Sequence, residues 1–246
     1  MKLFQVDINA DVGEGVGNEA QLMPFLSSCN IACGGHAGDE STMRAVVKTA
    51  KKYGVKVGAH PSFPDRENFG RQPMDMSYVS LFESLKHQTD NLINVLNDLQ
   101  VGFHHIKPHG ALYNLAAIDE NLAKVIIEVV KSYALPIQLY VPYQSVIAKL
   151  AVQHNISVVY EVFADRNYNN DLTLVSRQEK NALIHEVDAM FEHVYRMVSR
   201  HEVKTIGGEI MPIKADTICV HGDNIEAIKL LKNLWKKLNL KGVKIS

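Results

Sequence analysis

Val101-Gly102-Phe103-His104-His105-Ile106-Lys107 runs directly into Pro108-His109-Gly110-Ala111-Leu112-Tyr113-Asn114. The first seven residues have the β-branched and aromatic content of a strand, and Pro108 and Gly110 end it. If no bulge intervenes, alternation puts His105, Lys107 and His109 on one face. A lysine facing inward from a sheet closed on itself is costly unless it is paired or functional. Such a lysine can hold an anionic substrate or steady an oxyanion. Its structural alternative is an ion pair with a carboxylate on a neighbouring strand, and Glu161 is the candidate.

The same grammar recurs on both sides: an apolar run, a polar cluster, then a helical stretch. Six further runs are Leu3–Ile8, Cys29–Cys33, Val55–Ala59, Pro136–Val141, Ile156–Phe163 and Ala215–Val220. Helices are expected from Asp39 as cap to Tyr53, over Met76–Leu99, from Asp119 as cap to Tyr133, and over Gln144–Asn155. Ser176-Arg177-Gln178-Glu179 is a capping-box pattern that opens a helix to about His201, and Asp223–Leu238 is the last helix. Val203–Ile213, with Gly207-Gly208 at its centre, reads as a hairpin. Strand and helix alternating seven times indicate a parallel sheet. An open sheet would leave several ionisable strand ends far from any shared crevice, whereas a barrel gathers them at one mouth. The expected fold is therefore α/β, a seven-stranded (β/α) barrel forming a single domain over residues 1–246.

Composition narrows the partners. With 26 Lys+Arg against 27 Asp+Glu the net charge is −1, which offers no broad basic surface to nucleic acid or an anionic membrane. At 46% hydrophobic residues the chain is not disordered, and no stretch approaches a transmembrane span. The start, MKLFQVDINAD, does not read as a signal peptide. Three cysteines make no disulfide framework and read as reduced thiols of a cytosolic protein, with Cys33 and Cys219 as small core residues.

Six of the eleven histidines (His36, His60, His104, His105, His109, His221) lie on or just after strands, and four of these occupy the same relative point. Strand one presents Asp7, Asn9 and Asp11 on one face, with Glu14 just beyond. Paired carboxylates suit acid–base work and equally suit a divalent metal. Asp11, His36 and His60 would make an Asp-His-His set, but no metal motif of standard spacing occurs and a tightly bound metal is not expected. Gly13-Glu14-Gly15-Val16-Gly17 and Phe69-Gly70-Arg71 match neither a Walker loop nor a dinucleotide fingerprint, and there is no nucleophile elbow.

The clusters resemble one family as a set: Asp7-Ile8-Asn9-Ala10-Asp11-Val12-Gly13-Glu14; Asn30-Ile31-Ala32-Cys33-Gly34 with His36-Ala37-Gly38-Asp39; Gly58-Ala59-His60-Pro61-Ser62 with Pro64-Asp65; Lys107 to Asn114; Glu161-Val162-Phe163-Ala164-Asp165-Arg166; and Cys219-Val220-His221-Gly222-Asp223. The resemblance is to LamB/YcsF, the A-subunit family of bacterial ATP-dependent 5-oxoprolinase, and it runs from Leu3 to about Ile245. It implies hydrolysis of 5-oxo-L-proline to L-glutamate coupled to ATP cleavage, with 5-oxoprolinase subunits B and C as partners, and a barrel like those of glycoside hydrolases and polysaccharide deacetylases. ATP, with Mg, would be shared with the partner subunits. The chain departs from the family's usual residues at Gly35, Asn68 and Gln72, and Gly35 in place of an aromatic side chain is expected to widen the pocket near His36.

Residue type then assigns roles. Lys107, Arg71 or Arg166 would neutralise substrate carboxylate or phosphate. Asp11, Glu161 or His60 would activate water, and His109 or another acid would protonate the ring nitrogen. Asp7, Asn9, Glu14, Asn30, His36, Asn114, Asp165 and His221 complete the expected substrate-binding set. Two rivals are a stand-alone metal-dependent deacetylase or amidohydrolase and a non-catalytic protein that only binds substrate for its partners.

Overall fold

The computed structural model describes residues 4–220 and 225–246. His221 and the expected helix start at Asp223 lie outside the described residues. The first half of the chain runs β1 (Phe4–Val12), α1 (Glu19–Leu22), β2 (Ser28–Ala32), α2 (Glu40–Tyr53), β3 (Lys56–His60), α3 (Tyr78–Leu99), β4 (Phe103–Ile106), α4 (Gly110–Ala116) and α5 (Glu120–Lys131). The second half runs β5 (Gln138–Pro142), α6 (Val146–Gln153), β6 (Ser157–Phe163), α7 (Val187–Arg200), β7 (Glu202–Lys204), β8 (Ile210–Pro212), β9 (Thr217–Cys219), α8 (Ile225–Leu240) and β10 (Val243–Ile245).

Seven parallel strands close into the expected barrel in the order β1-β2-β3-β4-β5-β6-β9, and β9 pairs back onto β1. Nine-residue β1 is the hub. Its first third pairs with β10, Asp7 stands opposite Thr217, and Asp11 stands opposite Asn30. Alternation along β1 separates two environments. Ile8, Ala10 and Val12 belong to the apolar core, while Asp7, Asn9 and Asp11 hydrogen-bond to side chains of the other strands. Inside the barrel, Gly58 leaves the room that the His105 ring takes, since a Cβ there would lie 2.2 Å from His105 Nε2.

Local signals set most helix ends. Asp39, Ser77, Asp119 and Ser145 each accept a backbone N–H of the first turn through the side chain. Gly54 ends α2 at φ 69°, in the left-handed region that glycine enters freely. The hairpin forms as β7 and β8.

Several features differ from expectation. The capping-box segment does not start a helix, because α7 begins only at Val187. Instead Leu183 bridges to Arg166 and Leu174 to Tyr168, while Asn167 N–H reaches the Ala182 carbonyl. These long-range pairings take the backbone groups that a helix would have used. Residues 164–186 therefore form a largely irregular cover over the barrel mouth. Helix α4 and strand β10 were not anticipated. The first is too short to show a period, and the second is defined by its docking on β1.

Candidate active site

The C-terminal mouth opens into a cavity of about 830 Å³, within the size range of small-molecule sites. Asp11 comes from β1 and Glu14 from the turn after it. His60 ends β3, Lys107 and His109 follow β4, and Glu161 lies on β6. All six line the cavity, as do Arg71, Asn114 and Arg166.

Lys107 is buried at the centre. Its Nζ lies 2.9 Å from Asp11 Oδ1 and 2.9 Å from Glu161 Oε1, and it also contacts Cys219 Sγ at 3.2 Å. Burial pulls the Lys107 pKa down, but its two carboxylate partners outweigh that and hold it well above the ordinary lysine value. The ion pair with Glu161 therefore exists, and Asp11 makes it a triad. Asn9 braces the triad by donating to Glu161 Oε1 at 3.0 Å, and Asn30 donates to Asp11 Oδ1 at 2.7 Å. His105 Nε2 reaches Asn30 Oδ1 at 2.7 Å, and its ring stacks on Tyr140. Burial, then neighbouring His104 and Lys107, push the His105 pKa far below its usual value.

Glu161 is held through one oxygen only. Its Oε2 is buried without a hydrogen-bond partner, and so are Tyr113 Oη and Arg166 Nε. All three residues line the cavity. Burial and the adjacent Glu161 raise the Tyr113 pKa well above the usual phenol value, so this hydroxyl keeps its proton. Arg166 donates through Nη2 to the Val175 carbonyl at 2.6 Å in the cover. Arg71 is exposed at the rim, over the Phe69 ring at 5.0 Å.

A second cluster adjoins the triad. His60 Nδ1 lies 2.8 Å from the Lys107 carbonyl, which can only accept, so Nδ1 carries the hydrogen. His109 Nε2 likewise donates to the Phe69 carbonyl at 2.9 Å. Ser62 Oγ donates to the Phe63 carbonyl, so toward His36 Nδ1 at 3.0 Å it accepts. The remaining ring nitrogens converge: His60 Nε2 and His109 Nδ1 are 2.9 Å apart, and His36 Nε2 is 3.0 Å from Glu14 Oε1. The His36 and His109 rings stack in parallel with centroids 3.6 Å apart. Burial, foremost, lowers the pKa of both. Gly70, at φ 63°, lets the 69–71 turn close over them, because a Cβ there would sit 3.1 Å from both His36 Cβ and His109 Cδ2.

Several expected binding residues lie off the cavity wall. Asn9 and Asn30 form the bracing layer beneath it, and His36 lies behind Glu14. Asp7 is farther down the barrel, accepting from Ser28 and Thr217. Asp165 also lies off the wall, its carbonyl accepting from Ile184 N–H. In its neutral form His109 gives its ring proton to Phe69, which leaves none aimed at the cavity. Gly35 does not widen the pocket, because Gln88 and Ser62 fill its neighbourhood and a Cβ would meet them at 2.3 and 2.4 Å. Tyr113 sits inside a sequence motif with nothing to mark it as a functional group, and the wall supplied by residues 171–178 of the cover carries no sequence signal at all. The three cysteines are buried thiols, and burial raises the pKa of each, Cys33 to about 12.

An ionisable cavity at the C-terminal mouth of a parallel barrel is where β/α-barrel enzymes place their chemistry. The chain belongs to the LamB/YcsF family, which it matches over residues 6–246. It is 39% identical over 242 residues to proteins named as the A subunit of 5-oxoprolinase from Haemophilus influenzae strains PittEE and 86-028NP, covering 98% of this chain and 99% of each relative. Among solved structures it is similar to a lactam utilization protein from Thermus thermophilus, with a TM-score of 0.91, 32% identity and 98% of each chain covered.

Proposed function

We propose that this chain is the A component of a 5-oxoprolinase, opening 5-oxo-L-proline to L-glutamate with ATP cleavage in concert with subunits B and C. The observation that carries the catalytic part is Glu161: a buried carboxylate fixed through one oxygen by Lys107 and Asn9, with no hydrogen bond on the other, in a residue that lines the cavity beside Tyr113. The named relatives supply the substrate.

A five-membered lactam is a stable amide. Transfer of the ATP γ-phosphoryl group to its oxygen leaves ADP and an activated imidate. Glu161 Oε2 takes a proton from a water that attacks the ring carbon. The carbon–nitrogen bond then breaks as the hydroxyl of the tetrahedral intermediate becomes the acyl-phosphate carbonyl. Tyr113 passes its proton to the departing nitrogen and takes back, by way of the adjacent Glu161, the proton which that hydroxyl releases. A second water releases phosphate from the resulting acyl phosphate. Arg166 and Arg71, both lining the cavity, would meet anionic groups of the substrate. The chain carries no standard phosphate-cradling loop, so Mg-bound ATP would be held jointly with the partners.

The test is glutamate release from 5-oxoproline by the purified chain, with and without subunits B and C and with and without ATP. Turnover is expected only when all components are present. Robust ATP-dependent turnover by the chain alone would refute the multi-component reading, and ATP-independent turnover would favour a self-sufficient amidohydrolase.

A further inference from the structure

Beyond lactam opening, the second cluster has a hydrogen-bond count that does not close. Each of the three rings has one N–H committed: His60 to the Lys107 carbonyl, His109 to the Phe69 carbonyl, His36 to Ser62 Oγ. With neutral rings, the three remaining nitrogens are bare lone pairs. Two of them face each other at 2.9 Å, and the third faces a Glu14 oxygen at 3.0 Å. Acceptors do not approach that closely unless something positive lies between them.

Two extra ring protons could do it, one on His36 and one shared by His60 and His109. They would place a pair of imidazolium charges side by side among stacked, buried rings, beside the Lys107 cation. One divalent ion supplies the same charge at a single point and uses all four acceptors. The distances fit. Ligands at about 2.0–2.1 Å in a tetrahedron stand roughly 3.3 Å from one another. Here Glu14 Oε1 lies 3.5 Å from His109 Nδ1 and 3.9 Å from His60 Nε2, and the four ligand atoms all lie within 4.8 Å of each other. The supporting hydrogen bonds are also those of metal ligands: every ring donates its second nitrogen to a fixed acceptor, which sets tautomer and orientation.

We propose that Glu14, His36, His60 and His109 form a binding site for one divalent transition-metal ion of the zinc class. Three imidazoles and a carboxylate are borderline donors that favour zinc, cobalt or iron over magnesium or calcium. Glu14, partly exposed at the cavity, is the ligand through which the ion meets the pocket, and Asp11 Oδ2, 3.3 Å from His60 Nε2, links it to the triad. The strand ends suggested an Asp11-His36-His60 set, which shares two of these ligands, but no motif spacing marked the group because its members come from four separate strand ends.

The experiment strips the full chain with a chelator, then titrates it calorimetrically with zinc and follows cobalt(II) uptake by visible absorption. The expected result is a single ion per chain with the ligand-field bands of nitrogen-coordinated cobalt. Ser62→Ala, which removes a supporting acceptor, should weaken zinc binding about 10–100-fold. His36→Gln and His109→Gln should weaken it further, with folding checked by circular dichroism. If either histidine variant fails to fold, Glu14→Gln replaces it. The inference is overturned if the folded wild-type chain takes up neither ion, or if the folded ligand variants bind as well as wild type. These readings do not depend on turnover, so the site and the lactam activity stand or fall separately.

Discussion

Around the end of β3 and the 69–71 turn, His36, His60 and His109 each lock one ring nitrogen onto a neighbour and lie under a glycine-permitted turn. Around α4, β6 and the irregular cover, Glu161, Tyr113 and Arg166 line the same cavity, and Oε2, Oη and Nε are buried without a well-formed hydrogen bond. Leaving a buried polar group unsatisfied costs about 1–3 kcal/mol. The first region leaves open only the ring nitrogens that converge beside Glu14, whereas the second leaves open three groups on three separate elements. The contrast separates a wall that is already organised from a wall that gains its hydrogen bonds from a ligand. Lys107 stands on the line between them, bound to Asp11 on one side and Glu161 on the other.

The hardest way to break this division is Lys107→Ala. It leaves two buried carboxylates facing each other without a cation, and losing one partner of a buried pair costs about 3–5 kcal/mol. Urea denaturation should show that loss, together with loss of turnover in the assembled enzyme. Glu161→Gln is the companion: turnover should fall about 10²-fold or more, with a much smaller change in the urea midpoint. Equal losses of stability in the two variants would mean that the open wall is merely structural.

A gentler probe is pH. Burial lowers the pKa values of His36 and His109 below the unfolded value of 6.5, so below that pH the unfolded chain binds more protons. Stability is therefore full above about pH 6.5 and falls as pH drops, by up to about 2.7 kcal/mol per pH unit for the two rings together. Denaturation of the chelator-treated chain between about pH 7 and pH 5 measures the slope. A double His36→Gln, His109→Gln variant should make it shallower, leaving the part that buried His105 and His193 contribute. An unchanged slope would deny that the organised wall holds these rings neutral.

The smallest expected effect is Gly35→Ala. The new methyl group meets Gln88 and Ser62, and overpacking of this kind costs about 1–3 kcal/mol. Because Ser62 holds His36, the variant should lower the thermal midpoint and also weaken zinc uptake. A change confined to stability would uncouple Gly35 from the cluster.

The seven barrel strands and the longer helices could be read from the sequence because periodicity and caps are local. The capping box at Ser176 misled because its backbone groups are claimed by Asn167 and by the Arg166–Leu183 bridge, partners chosen by the fold. Alternation correctly put Asp7, Asn9 and Asp11 on one face, but it says nothing of depth. The four residues from Asp7 to Asp11 span about 13 Å of strand, enough to put Asp7 beneath the site rather than in it. Which acids and bases meet could be read from strand ends, whereas ring tautomers depend on carbonyls and a serine that only the folded chain supplies.

The pairing of β1 with β9 has a further consequence, for the order of assembly. Asp7 and Thr217 are neighbours in space but 210 positions apart along the chain, so the ring cannot close until β9 is in place. Contacts of such separation form slowly. The β1–β4 arc, with its imidazoles, pairs strand to strand in chain order. Glu161 reaches the barrel on β6, next to that seam, and Asn9 and Thr217 hydrogen-bond across it. The Lys107 cation is thus the latch that the final strand snaps shut, and a chain stalled before closure would hold that charge without its second counter-ion. Temperature or mutation that slows the latch should show itself first in yield and aggregation during synthesis, before any property of the finished barrel changes.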